Sequence, residues 1–146
     1  MAKQIHWEDV EDGMELPPVV KHPTTMQLVR YAGASGDLSR IHYDQEYARN
    51  RGFPTVIVHG QLKWGFLAQL LTDWIGYEGR IKKIACQYRR IDVPGDTLTC
   101  KGKVVRKYVE DGIHQVECDI WVENGRGEVT TPGSATVILP SRSQCE

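Results

Sequence analysis

An aspartate and a histidine five positions apart, Asp37 and His42, form the pair in this sequence best suited to chemistry. They lie in a segment that looks unlike a regular helix or strand, and Gly33 and Gly36 interrupt the helical pattern just before Asp37. A carboxylate and an imidazole delivered by one loop can hold and deprotonate a single water molecule. The alternative is a turn aspartate that caps its own backbone beside a half-exposed histidine.

A short helix is predicted to lead into this loop. Thr24 and Gln27 have the spacing of a capping box, which favours a helix start at this point. The glycines at 33 and 36 favour its end, and a second short helical turn is predicted over residues 47–51. Helical spacing predicts that Met26, Val29 and either Ala32 or Gly33 share one face.

Residues 60–75 carry the only long apolar helix pattern of the chain, and Gly76 is predicted to end it. A helix that is apolar on most sides is expected to be buried in the core. Lys63, one turn into this helix, is expected either to be solvated or to meet a phosphate. The predicted core stripe consists of Leu62, Phe66, Leu70 and Trp74, widened by Leu67 and Leu71.

The second half of the chain changes to strand patterns. Turn signals, including Asp111-Gly112, separate successive strands and predict an antiparallel meander. With the buried helix laid on one face, this predicts an α+β domain. The four predicted strands span residues 81–91, 97–109, 113–123 and 128–139. Pro17 and Pro18 restrict residues 1–23 to an edge strand or an extended arm, and the tail over residues 141–146 is predicted to be loose.

The composition predicts a single domain of 146 residues in a reducing cytoplasm. A formal net charge of −1 argues against a nucleic-acid protein and against a polybasic membrane binder. No apolar run reaches the length of a signal peptide core or a membrane span. The five histidines show no paired ligand spacing, so no metal is expected. The cysteines are expected to be small, mostly buried residues at Cys86, Cys100, Cys118 and Cys145.

The residues around the Asp37–His42 pair resemble the signature of the MaoC-like dehydratases, which include the R-specific enoyl-CoA hydratases. The positions in register are Tyr31, Gly36, Asp37, Ile41, His42 and Ala48. A second match is the Val58-His59-Gly60 segment at the start of the long helix. Two positions depart from the pattern: Ser39-Arg40 replaces the usual Asn-Pro, and Gln61 stands where the family commonly has Met.

This resemblance implies a single hot-dog domain over residues 1–146, in which a curved antiparallel sheet wraps around the helix of residues 60–75. It implies a hydratase or dehydratase that interconverts a trans-2-enoyl thioester and an (R)-3-hydroxyacyl thioester. The substrate would be carried on coenzyme A or on an acyl carrier protein, and no cofactor is implied. Hot-dog domains usually form homodimers or higher homo-oligomers, and some pair with another hot-dog subunit.

The resemblance also assigns roles along the chain. Asp37 and His42 would be the catalytic acid–base pair, and Gly60 would bind the thioester oxygen through the helix N-terminus. The neighbours of Gly60 that would contact the substrate are His59 and Gln61, and the alternative for the His59 side chain is that it caps the helix or packs. Candidates to line an acyl tunnel are Trp64 and Ala68. Candidate phosphate contacts are Arg40, Arg89 and Arg90, although the basic residues over 80–90 also fit a solvated strand edge.

Two other functions stay open at this point. A hot-dog acyl-CoA thioesterase typically takes a carboxylate from the central helix, where this chain has the amides Gln61 and Gln69 and only the distant Asp73. A non-catalytic acyl-binding subunit of a heteromeric dehydratase is the second alternative. The absence of the Asn-Pro pair is compatible with it, and the presence of both Asp37 and His42 speaks against it.

Overall fold

A five-stranded antiparallel sheet organises the chain, which a computed structural model describes over residues 3–144. The strands are β1 (Val19–Lys21), β2 (Arg80–Cys86), β3 (Leu98–Glu110), β4 (Ile113–Glu123) and β5 (Val129–Ile138). The helices are α1 (Thr25–Ser35), α2 (Gln45–Asn50) and α3 (Gly60–Ile75), with a short 3-10 turn at Arg40–His42. None of the helices described has the length and apolar content needed to cross a bilayer.

The sheet curls around α3, which contacts all five strands. The predicted bounds of α3 are confirmed, and Gly76 ends the helix with a φ of 71°. Its buried side chains pack onto the inner face of the sheet, and each large apolar side chain buried there contributes about 1.5–3 kcal/mol. The predicted stripe is confirmed as core: Leu62, Phe66, Leu67, Leu70, Leu71 and Trp74 are all buried.

The hairpin between β3 and β4 forms where the sequence predicts it. Asp111 and Gly112 both adopt positive φ angles, 50° and 74°, as a tight two-residue hairpin requires. Along β4 the inward side chains alternate with outward ones, as the period-two pattern predicts. The inward set, all of it buried, is Val116, Cys118, Ile120 and Val122.

Two of the three predicted hairpin connections are confirmed, β3 to β4 and β4 to β5, but the first is wrong. The strand order is β1-β3-β4-β5-β2, so β2 pairs with β5 and not with β3. The turn at residues 93–96 exists, but β2 already ends at Cys86. Residues 87–97 therefore have enough length to run from β2, at one edge of the sheet, to β3 near the opposite edge. Turn residues identify a turn but do not determine which strands it joins.

Helix α1 begins at the predicted cap, where Thr24 Oγ1 accepts a hydrogen bond from the Gln27 N–H at 3.1 Å. The face predicted from the spacing is not the one that packs against the core. Leu28 and Ala32 are buried, whereas Met26 and Val29 are more than half exposed. Apolar residues lie on more than one side of this short helix, so their spacing alone does not select the side that meets the core. The arm before α1 reaches the edge of the sheet as β1, as predicted.

Residues 141 and 142 contact the N-terminal segment. The Ser141 hydroxyl is buried and donates to Glu8, and the Arg142 guanidinium pairs with Asp9 at 2.6 Å. Cys145 lies outside the described residues. The other three cysteines are free thiols, and burial raises the pKa of both Cys100 and Cys118 to about 12.

Candidate active site

Asp37 leaves the end of α1 through a left-handed turn at Gly36, whose φ is 79°. The turn is fixed locally, because the Ser35 hydroxyl accepts the Asp37 N–H at 3.2 Å. Asp37 Oδ1 accepts the Ser39 N–H at 3.4 Å, so this oxygen does cap the turn. The Asp37 side chain is 42% exposed, and its second oxygen faces His42.

His42 is buried at the end of the 3-10 turn, and one ring nitrogen is anchored. Its Nδ1 lies 2.8 Å from the Ile57 carbonyl oxygen. Because a carbonyl only accepts, the neutral imidazole carries its proton on Nδ1 and presents a lone pair at Nε2. That Nε2 lies 3.6 Å from Asp37 Oδ2, too far for a direct hydrogen bond. Both atoms are therefore available to one water molecule.

The His59 side chain is fully buried and packs against His42. The two rings stack with centroids 3.7 Å apart and planes inclined by 18°, and Tyr31 meets His59 edge-on at 4.8 Å. Neither ring nitrogen of His59 has a hydrogen-bond partner among residues 3–144. Burial, and secondly the neighbouring His42, lower the pKa of His59, against the opposing effect of Asp37. His59 is therefore a neutral packing partner of His42.

Asp37, His42 and His59 also form a potential metal-ligand group, since one ligand atom from each lies within 4.8 Å of the others. The ring geometry does not fit a shared ion. Imidazole lone pairs lie in the ring plane, and two nearly parallel rings 3.7 Å apart cannot both direct a lone pair at one ion about 2.0 Å from each. The expectation that the site holds no metal stays a prediction.

The lowered pKa of His59 gives an expected pH dependence of stability. Between the folded pKa and the unfolded value near 6.5, the unfolded chain binds a proton that the folded chain does not. The free energy of unfolding should therefore fall as the pH drops from 7 to 5. His59→Phe, which keeps an aromatic ring, should flatten that slope in urea titrations at pH 7, 6 and 5. Equal slopes for the two proteins would contradict a buried neutral His59.

Gly60 is the first residue of α3, and the His59 side chain does not cap the N–H groups there. The ring of Tyr88 covers this position so closely that a Cβ on Gly60 would lie 2.7 Å from ring carbon Cδ2. Only glycine fits without moving the ring. The helix N-terminus and Tyr88 therefore form one surface next to the His42–His59 stack.

A cavity of about 380 Å³ opens beside Tyr88. Its lining residues are Gln61, Trp64, Ala85, Cys86 and Tyr88. Two of the sequence-predicted substrate contacts, Gln61 and Trp64, thus meet in one cavity. Ala68, one turn further along α3, is half-buried and does not line it. Burial raises the pKa of Tyr88 to about 12, which keeps its hydroxyl neutral.

The three arginines suggested as phosphate contacts do not converge. Arg40 pairs with Asp44 at 2.7 Å and stacks on the Tyr47 ring at 4.5 Å, which occupies its guanidinium. Arg89 donates to Gln87, and the Arg90 guanidinium lies 3.7 Å from Glu128. Ser39, with φ −60° and ψ 125°, has the backbone that precedes a proline, so position 40 would accept the family's proline.

A buried ion pair that the sequence does not predict lies next to the site. Lys63 is neither solvated nor free for a phosphate. Its Nζ lies 2.9 Å from Asp92 Oδ2, and both side chains are almost fully buried. The available signal was the helical position of Lys63, four residues before the buried Leu67 and so on the buried side of α3.

The fold agrees with the comparison to known families. The model of the MaoC-like domain matches residues 11–124, and the chain belongs to this family. The solved structure of the R-hydratase PhaJ1 from Pseudomonas aeruginosa superposes with a TM-score of 0.86 at 22% identity. It covers 95% of this chain and 88% of that one, which confirms the predicted hot-dog fold.

Two curated relatives match nearly end to end. The chain is 28% identical over 143 residues to the (R)-specific enoyl-CoA hydratase of Rhodospirillum rubrum, which covers 94% of this chain and 93% of that protein. It is 29% identical over 133 residues to the 3-oxo-4,17-pregnadiene-20-carboxyl-CoA hydratase beta subunit of Mycobacterium tuberculosis. That match covers 89% of this chain and 95% of that protein.

Proposed function

We propose that the chain is a hydratase and dehydratase that interconverts a trans-2-enoyl thioester and an (R)-3-hydroxyacyl thioester. The observation that carries this proposal is the pairing of Asp37 Oδ2 with the free Nε2 of His42 at 3.6 Å. The similarity to the (R)-specific hydratase of Rhodospirillum rubrum supports the same reaction and the same stereochemistry.

In the hydration direction, Asp37 and His42 hold one water and remove a proton from it. The water oxygen bonds to Cβ of the substrate, and the electron pair of the double bond moves through Cα to the thioester oxygen. When the enolate collapses, Cα takes the proton from the pair, so the protein ends unchanged and no redox cofactor is needed. The N-terminus of α3 at Gly60 stabilises the enolate oxygen, a contribution of roughly 3 kcal/mol for one well-placed donor.

The direct test is an assay of the purified chain with crotonyl-CoA and with a longer trans-2-enoyl-CoA, following the loss of the enoyl absorbance. Hydration of either substrate supports the proposal, and the preferred length measures the acyl site beside Trp64. Release of free coenzyme A thiol without hydration would instead identify a thioesterase. The amides of α3 and the position of Asp73, which is exposed and accepts a hydrogen bond from Gln69, weigh against that outcome.

The Mycobacterium tuberculosis relative is a beta subunit, so a partner of a different sequence is the second possibility for this chain. We infer that the chain is a catalytic subunit, because the complete Asp37–His42 pair is of no use to a purely structural one. We propose a second copy of the chain as its partner and the cytoplasm as its location. Activity of the purified chain alone would support this assignment. Activity that appears only after a second hot-dog subunit is added would replace it. An acyl carrier protein thioester is the alternative form of the substrate.

Gly60→Ala should lower the hydration rate at least ~10-fold. The added Cβ would displace the Tyr88 ring from the N-terminus of α3, where a donor is worth roughly 3 kcal/mol. Gly65→Ala is the matched control in the same helix, since its Cβ would meet nothing within 4 Å. This control should keep full activity and gain about 0.5–1 kcal/mol of stability. Equal activity in the two variants would remove Gly60 from the substrate site.

A further inference from the structure

The first turn of α3 carries a buried polar cluster, which consists of Lys63, Asp92 and Thr130. Lys63 Nζ donates to Asp92 Oδ2 at 2.9 Å and to the Arg90 carbonyl at 3.0 Å. The Thr130 hydroxyl donates to the same Asp92 oxygen at 2.6 Å. The Lys63 and Asp92 side chains are only 2% and 1% exposed. Taking two charges out of water is costly, and apolar residues of similar size would often serve stability equally well.

The cluster is connected to the catalytic imidazole through the backbone. The Asp92 carbonyl accepts the Val58 N–H at 2.8 Å. The preceding residue, Ile57, supplies the carbonyl that accepts His42 Nδ1–H at 2.8 Å. The peptide that anchors His42 is therefore itself anchored on Asp92, and Asp92 is fixed to α3 by Lys63.

The cluster also joins three parts of the chain that meet at the site. Lys63 belongs to the helix whose N-terminus is Gly60, Thr130 belongs to β5, and Asp92 belongs to the connection that carries Tyr88 across Gly60. The ammonium group lies 5.9 Å from the centre of the Tyr88 ring. Displacement of Asp92 would shift the His42 anchor and the Tyr88 cover together.

We propose that Lys63 and Asp92 are a positioning pair for the active site, which hold the Ile57–Val58 peptide, and through it the His42 imidazole, in the reactive geometry. This inference rests on the proposed hydratase function. Hydrogen bonds between fixed groups admit one arrangement, whereas apolar side chains of the same volume pack in several. A displacement of about 1 Å at a catalytic group can cost on the order of 100-fold in rate.

The test is the double variant Lys63→Met/Asp92→Leu, which removes both charges and keeps most of the volume. We expect an unfolding midpoint close to that of the unmodified protein. We expect kcat for enoyl-CoA hydration to fall at least ~10-fold with KM changed by less than about threefold, as loss of alignment affects the transition state more than binding. Exchange of the Val58 amide proton, measured by NMR, should become at least ~10-fold faster.

The matched control is Lys101→Met/Glu123→Leu. This pair also joins a lysine to a carboxylate, at 2.8 Å, but it lies across β3 and β4 and is partly exposed. It should leave kcat and the exchange of the Val58 amide unchanged. A folded Lys63→Met/Asp92→Leu protein with the kcat of the unmodified enzyme would overturn the proposal. So would a lowered kcat with unchanged Val58 exchange, because the effect would then not pass through the Ile57–Val58 peptide.

If the double variant does not fold, Thr130→Val is tested by the same two measurements. It removes only the hydroxyl that donates to Asp92 and keeps the side-chain volume. Values equal to those of the unmodified protein in both measurements would also overturn the proposal. Failure of the proposed hydratase function is distinguishable from failure of the positioning role. In the first case the unmodified chain would hydrate no enoyl-CoA, and the exchange of the Val58 amide would still test the positioning role.

Discussion

Asp37→Asn is expected to lower kcat for hydration by at least ~100-fold, the usual contribution of a positioned acid–base group. The amide keeps the shape of the side chain and can still accept the Ser39 N–H, so the turn after Gly36 should persist. What is lost is the carboxylate that takes a proton from water. The free energy of unfolding should change little, because the side chain is 42% exposed.

The measurement is the steady-state rate with the better of the two enoyl-CoA substrates, together with a urea unfolding curve. Asp44→Asn is the matched control. Asp44 lies close in sequence, pairs with Arg40 and caps α2, where asparagine caps almost equally well. This control should keep full activity. An Asp37→Asn enzyme with a near-normal rate would remove the assignment of Asp37.

His42→Gln should cause a loss of similar size, and the two losses should not add. Both groups act on the same water molecule, so removal of either group disables the unit. If the double variant were slower than the unmodified protein by the full product of the two losses, the residues would act independently.

The elements that position this site were predictable because each is specified locally. Helix α3 starts and ends where glycine and apolar spacing indicate, at Gly60 and Gly76. The loop of Asp37 follows a glycine in a left-handed conformation, which the sequence signals directly. In natural sequences the local preferences of each segment are consistent with the global fold, so such signals predict the elements correctly.

The features that were not predictable depend on contacts between distant parts of the chain. Pairing of β2 with β5 is determined by where residues 87–97 cross, and no local pattern encodes that path. The stacking of His59 on His42 joins two loops 17 positions apart. The predicted contact between His59 and the substrate stays a prediction. It concerns the backbone of His59, because the side chain is buried in the stack.

The Lys63–Asp92 ion pair also depends on a contact between distant parts of the chain. A lysine on the apolar side of a helix is interpretable only when its partner is known, and Asp92 is 29 positions away. Asp92 follows the basic residues over 80–90 in the sequence, and that basic stretch is typical of a solvated strand edge. Nothing in this local pattern indicates that Asp92 is buried. The pairing, not the composition, decides whether such a lysine is at the surface or in the core.

This pair gives the largest expected effect on stability. Lys63→Met should lower the free energy of unfolding by about 3–5 kcal/mol, because it leaves the Asp92 carboxylate buried without its counter-charge. Loss of the bond to the Arg90 carbonyl adds an unpaired backbone group. Since small domains are stable by only about 5–15 kcal/mol, the variant should be close to its unfolding threshold.

Urea titration of three variants, Lys63→Met, Lys101→Met and Lys63→Met/Asp92→Leu, isolates the cost of leaving the Asp92 carboxylate unpaired. Lys101→Met, which breaks a partly exposed pair with Glu123, should cost less than about 1 kcal/mol. Lys63→Met/Asp92→Leu should regain most of the stability that Lys63→Met loses, because no charge is left unpaired. A Lys63→Met protein within about 1 kcal/mol of the unmodified chain would mean that Asp92 reaches water. The ion pair would then be a surface feature, without the fixed geometry that positioning His42 requires.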